Sequence, residues 1–217
     1  MRIYYGDNQF LGVNHSDGKG KKYLNRYQSP EEIAKTLRVA WKSGIRDFCF
    51  TVNDKTVDAI NLVIDDCPFR LHPAIPYAQK VNNLIAEKGL AGALYFNIKN
   101  AGFFNFSLAI FNSVFGKYRD LCKILIKVQL QEIPKNNISS IGLLNVATDF
   151  FIGINRHDII NLFKEVVEDD FKKKPLFYTM NFTKLADILW EDGNNKSCCI
   201  VFNYNYTINH FILFRTF

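Results

Sequence analysis

The chain has 217 residues and a formal net charge of +6, long enough for one α/β domain to bury a substantial core. Its cations fall in isolated clusters, Lys19, Lys21 and Lys22 and then Lys172, Lys173 and Lys174, with no basic stripe, so nucleic acid is not the favoured partner. The five cysteines lack C-x-x-C spacing and no apolar run reaches the ~20 residues that span a bilayer, which argues against a disulfide framework, a structural zinc site or a transmembrane segment and for a reducing, cytoplasmic setting.

Six short apolar runs, each ending in a polar side chain, organise the chain: Ile3 to Asn8, Phe48 to Asn53, Pro73 to Tyr77, Ile141 to Asn145, Leu176 to Asn181 and Cys199 to Asn203. The first run meets Asp7 before any stretch of signal-peptide length, so no secretion signal is expected. Ser29-Pro30-Glu31-Glu32 then places a hydroxyl at an N-cap, a proline at the first helical position and a glutamate three residues after the serine, a capping box. Ile33, Leu37, Ala40 and Trp41 follow at helical spacing, and Gly44 stands where a left-handed residue ends a helix. Ile45 to Val52 reads as a buried strand. Asn53 or Asp54 caps a helix through Val57, Ile60, Val63 and Ile64, and Phe69 to Tyr77 returns as a strand.

An enlarged crossover follows, about residues 84–137, with an apolar aromatic piece (Phe103 to Phe115) and an amphipathic piece (Tyr118 to Glu132). Beyond it, Ile141 to Val146 reads as a strand. Asn155 or Arg156 to Phe171 reads as a helix with Ile159, Ile160, Phe163, Val166 and Val167 inward, and Leu176 to Met180 as the next strand. Asn181 caps Thr183 to Trp190, whose apolar face is Leu185, Ile188 and Leu189. After the run ending at Asn203, the tail Tyr204 to Phe217 is aromatic and Asn-rich, without a cap or a helical period. Strands alternating with helices predict a parallel sheet. The expected fold class is α/β, a TIM-barrel-like (β/α) domain over residues 1–217 with about six strands, short of the eight a closed barrel needs.

Several of these segments resemble a bacterial family of uncharacterised proteins with a TIM-barrel fold. They are Gly6-Asp7-Asn8-Gln9-Phe10-Leu11-Gly12-Val13-Asn14-His15, Gly44-Ile45-Arg46-Asp47-Phe48, Pro76-Tyr77-Ala78-Gln79-Lys80, Leu143-Leu144-Asn145-Val146-Ala147-Thr148-Asp149 and Phe177-Tyr178-Thr179-Met180-Asn181. The resemblance covers about residues 3–193 and implies a fold and a ligand-binding rim, with no reaction attached. It fades beyond Gly193, which leads to the expectation of a truncated or frame-shifted end and an incomplete barrel.

Familiar motifs mostly fail. Asp17-Gly18-Lys19-Gly20-Lys21-Lys22 has no glycine five positions before Gly20 and carries Lys22 where a phosphate loop requires Ser or Thr. Gly18 and Gly20 are followed by Tyr23 where a dinucleotide fingerprint requires glycine. His15, His72, His157 and His210 show no metal-ligand spacing, and no G-x-S-x-G elbow occurs. No motif names a cofactor.

What remains is the rim, because residues at the carboxyl ends of parallel strands converge where such proteins bind ligands. Asn8, Asn53, Tyr77, Asn145, Asn181 and Asn203 are the substrate-binding candidates, since an amide both donates and accepts. Asp7 and Asp149 are the general acid or base candidates, because desolvation raises a carboxyl pKa toward neutrality. Lys80 is a Schiff-base candidate if desolvated, and His15 a proton shuttle. Each Asn or Asp taken alone is as readily a helix cap or turn residue; their recurrence is the signal. The expected function is acid/base chemistry of lyase, aldolase or isomerase type on a small polar metabolite. The alternatives are a non-catalytic interaction module using Phe103 to Glu132, and a shortened barrel without activity. Either the 101–132 insertion or exposed parallel sheet edges would then favour a homo-oligomer.

Overall fold

A proline at the start and a glycine after the end delimit the first long helix, as their backbone preferences require. In the computed structural model, which describes residues 3–12, 25–75, 118–191, 198–206 and 209–216, it spans Pro30–Lys42 (α1). Gly44 adopts a left-handed φ of +89°. Its N–H donates to the Trp41 carbonyl at 3.0 Å, and the Ile45 N–H reaches the Ala40 carbonyl at 3.1 Å, the paired closure of a Schellman motif. The amino end departs from the expected capping box. The Ser29 side chain makes no bond to the helix amides but hydrogen-bonds the exposed Glu31 carboxylate, holding it below its ordinary pKa, while Glu32 pairs with Lys35.

Contacts group the chain into two compact units. The first comprises Met1–Ala74 with Leu130–Ser139, the second Ile75–Gln129 with Ser140–Phe217. In the first, β1 (Tyr4–Gly6), β2 (Asp47–Thr51) and β3 (Arg70–Ile75) pair in parallel, with α1 between the first two and α2 (Asp54–Asn61) between the last two. Four of five β2 residues are buried, as in a parallel strand covered on both faces. Its core is aromatic. Phe10 packs edge-on against Tyr27, Phe69 against Trp41, and Phe48 stacks on Phe50. Arg46 lies 3.9 Å over the Trp41 ring and donates to the Trp41 carbonyl, sealing the α1–β2 junction.

In the second unit, β4 (Ser140–Leu143), β5 (Lys174–Thr179) and β6 (Cys199–Tyr206) pair in parallel. The helices are α3 (Arg119–Gln129), α4 (Asn145–Gly153), α5 (His157–Glu165) and α6 (Phe182–Glu191), with a π-helical turn at Val166–Asp170. Phe163 of α5 packs edge-on against Phe177 of β5. Arg119 and Lys123 of α3 reach Asp170 at 2.9 and 2.7 Å. Being half-exposed, these pairs orient the helices more than they stabilise them.

The fold class is thus α/β with six strands in parallel ladders, alternating with helices, as expected for an incomplete (β/α) barrel. Several boundaries differ from expectation. The fourth strand stops at Leu143, and Asn145 opens α4. That helix escaped the sequence pattern because Val146, Phe150 and Ile154 are exposed, so its apolar residues form no single stripe. Asn155 sits left-handed at φ 58° between α4 and α5. β5 ends at Thr179, two residues before Asn181. The tail, in which no cap or helical period was found, continues β6 to Tyr206 and forms an antiparallel strand, β7 (Asn209–Thr216), in register from Tyr206↔Asn209 to Cys199↔Thr216. The edge of β6 is therefore paired, where an exposed parallel edge was expected. Of the enlarged crossover, the amphipathic piece forms α3, and Phe103 to Phe115 lies outside the described residues. No described helix is long and apolar enough to cross a membrane.

Candidate active site

At the carboxyl end of β1 the chain turns at once. The Phe10 and Leu11 N–H groups donate back to the Asp7 carbonyl at 2.8 and 3.3 Å, and this turn folds the Asp7 side chain inward. The carboxylate is 5% exposed, and its Oδ2 accepts the Thr51 N–H, at the end of β2, at 2.6 Å. Among the described residues no Lys, Arg or His side chain pairs with it. Burial pushes its pKa up to about 7, against the opposing effect of hydrogen bonds from Thr51, backbone and side chain, and from its own backbone.

Asn53 meets the same threonine at its next peptide. Its Nδ2 donates to the Thr51 carbonyl at 2.8 Å, and its Oδ1 accepts the Thr56 N–H at 3.0 Å, capping α2. Both ends of this amide are engaged by the local backbone. Asn8 is exposed in the turn after Asp7, its carbonyl accepting from the Leu11 N–H. Lys55 crosses from α2 to the Tyr27 carbonyl at 2.7 Å, tying the turn region to its own unit. Tyr5, a β1 residue, bonds Gln9 through its hydroxyl, and burial pushes its pKa up to about 12, so it titrates far above neutrality.

The second unit repeats part of this arrangement. Asp149, on α4, accepts the Thr179 hydroxyl at 2.6 Å and the Met180 N–H at 3.0 Å, at the carboxyl end of β5. The Thr179 hydroxyl oxygen accepts the Asn181 N–H at 2.8 Å. Asp149 and Asn181 are brought together through one threonine, as Asp7 and Asn53 are through Thr51. Asn145 is half-buried at the first position of α4. Asn203 belongs to β6, opposite Ile212 of β7. Tyr77, Lys80 and His15 lie outside the described residues.

The sequence signal for this pairing is a Thr-x-Asn step at two strand ends, Thr51-Val52-Asn53 and Thr179-Met180-Asn181. The asparagines stood out, and the threonines that connect them to the carboxylates did not. A second constellation went unnoticed, at the opposite ends of the same strands. Asp47, 1% exposed at the start of β2, accepts Arg70 Nε at 2.8 Å and Nη2 at 2.6 Å, and its Oδ1 lies 3.0 Å from His72 Nε2. Tyr4 packs edge-on against the His72 ring at 5.2 Å. Among the described residues no three His, Cys, Asp or Glu side chains converge as a metal-binding group.

The fold defines the class as an α/β protein of (β/α) type, with a buried carboxylate just past the carboxyl end of β1. No family model matches the chain, nor does any curated protein or solved structure.

Proposed function

We propose that the protein is an enzyme-like domain carrying out acid/base chemistry, of lyase, aldolase or isomerase type, on a small polar metabolite, in the cytoplasm. Asp7 is its proton carrier. The observation that carries this reading is a desolvated carboxylate just past the end of β1, without a cationic partner among the described residues and bonded to Thr51 at the end of β2. A structural carboxylate is ordinarily exposed or paired, since burying it alone costs several kcal/mol. One whose pKa stands near neutrality can both take and give a proton at working pH. Asp149 is the second carboxylate of the proposal. Its two donors from the end of β5 suit it to orienting a bound group.

Screening a metabolite library by thermal shift identifies ligands, because binding to the folded state raises the melting temperature. With a substrate in hand, Asp7→Asn is expected to lower kcat by about a hundredfold or more, with the folded state and ligand-induced shift retained. Unchanged turnover in that variant overturns the assignment.

A further inference from the structure

Strand β2 outlasts its neighbour in the first unit. Its last partner on β1 is Gly6, opposite Cys49, so Phe50 and Thr51 run on past the end of that ladder. The Thr51 N–H then meets a side chain in place of a strand, Asp7 Oδ2 at 2.6 Å. The Thr51 hydroxyl donates to the same carboxylate. The Thr51 carbonyl is held in turn by Asn53 Nδ2 at 2.8 Å, and Asn53 is fixed by the Thr56 N–H, which its Oδ1 accepts at 3.0 Å. The N–H, hydroxyl and carbonyl of one residue are thus committed to the carboxylate or to the α2 cap. The second unit uses a strand-end threonine in the same way, for the Thr179 hydroxyl donates to Asp149 Oδ1 at 2.6 Å and accepts the Asn181 N–H at 2.8 Å. A carboxylate that merely completed a ladder would need only a peptide N–H; in both units a hydroxyl joins it.

We propose that Thr51 is the positioning residue of the Asp7 site, gripping the carboxyl with its N–H and hydroxyl so that the orientation and proton affinity of Asp7 are set from β2. This inference rests on the reading of Asp7 as the proton carrier and adds the group that tunes it. Both donors favour the carboxylate over the neutral acid, because a hydrogen bond strengthens when the oxygen it reaches is charged. Burial works the other way, and Asp7 is 5% exposed. Thr51 opposes burial, and the carboxyl ionises near neutrality instead of well above it. Of the charged and titratable side chains on the elements around it, Tyr5 of β1 pairs with Gln9, and Asp47, at the far end of β2, with Arg70. Lys55 of α2 donates to the Tyr27 carbonyl at 2.7 Å, and Asp54 and Asp58 stand exposed on that helix. None of these is bonded to Asp7, and Thr51 is.

The test titrates the full chain by carbon-detected NMR, following the Asp7 carboxyl resonance, which is assigned by its loss in Asp7→Asn. Thr51→Val keeps a β-branched strand residue and removes the hydroxyl, and should raise the Asp7 midpoint by about one pH unit. Thr51→Ser restores a hydroxyl and should return the midpoint to about that of the unaltered chain. A threonine of purely structural value would lower stability on substitution and leave this midpoint where it was. A midpoint that stays put in Thr51→Val, or that rises equally in Thr51→Ser, overturns the proposal. If Thr51→Val does not fold, the unaltered chain still decides: the Thr51 amide proton and Cβ resonances should titrate with the Asp7 midpoint, and resonances flat across it overturn the proposal. An Asp7 midpoint at the ordinary carboxyl value of about 4 in the unaltered chain overturns the acid/base reading itself, so the two failures are told apart.

Discussion

At the scale of single residues, burial has opposite consequences for two aspartates of the same unit. Asp47 is compensated by a guanidinium and an imidazole, so its charge is held where it sits. Asp7 is met by uncharged donors, Thr51 and its own backbone, and is pushed up to about 7. The displacement from 3.8 corresponds to roughly 4 kcal/mol, at about 1.4 kcal/mol per tenfold in protonation. The folded state binds the proton more tightly than the unfolded chain. Below about pH 4 the carboxyl is neutral in both and the penalty is absent; between about pH 4 and 7 stability falls as pH rises; above about pH 7 the whole penalty remains. Asp7→Asn keeps an acceptor for the Thr51 N–H and removes the charge. Denaturant titrations should therefore show it more stable than the parent at pH 8, by up to about 4 kcal/mol, with the gain shrinking toward zero at pH 4.5. A variant that loses stability at pH 8 contradicts this account of the carboxyl.

Elements show where local sequence is decisive. α1 begins and ends where Pro30 and Gly44 place it, because proline fixes φ and glycine adopts a left-handed φ without steric cost. α2 begins at Asn53 for an equally local reason, an amide oxygen within reach of the Thr56 N–H. Asn53→Ala removes that bond and the one to the Thr51 carbonyl, and should cost about 1–2 kcal/mol in chemical denaturation. Asn53→Asp keeps the cap and should recover most of the loss. Equal losses in the two variants would show that the cap is not what Asn53 contributes. α4 was illegible for the converse reason. Helical periodicity appears only when one face is buried and the other wet, and Val146 and Phe150 break that rule by standing exposed.

For the molecule as a whole, the decisive feature beyond the alternation of strands and helices is the antiparallel pairing of β6 with β7. A barrel short of eight strands leaves backbone donors and acceptors at its edges, where other chains can pair. β7 satisfies this row on β6 along eight residues. Deleting residues 207–217 should therefore shift the protein toward larger, concentration-dependent species in sedimentation velocity experiments. A size distribution matching that of the full chain would show that β7 has no such protective role.

The α/β class, most strand and helix positions and the two carboxylates at strand ends were legible in the sequence, because apolar runs, caps and glycine stops act over a few residues. The functional standing of those carboxylates was not. Asp7 and Asp149 each meet a threonine at a strand end, yet Asp7 is buried with its pKa pushed up to about 7, and Asp149 is half-buried. Asp47, Cys49, Arg70 and His72 share one face only because β2 and β3 pair in a particular register, and a slip of one residue would send each to the opposite side. Desolvation and cross-strand neighbours depend on what the fold brings alongside. Tertiary structure alone therefore decided which acid has its pKa raised toward neutrality and which side chains of β2 and β3 share a face.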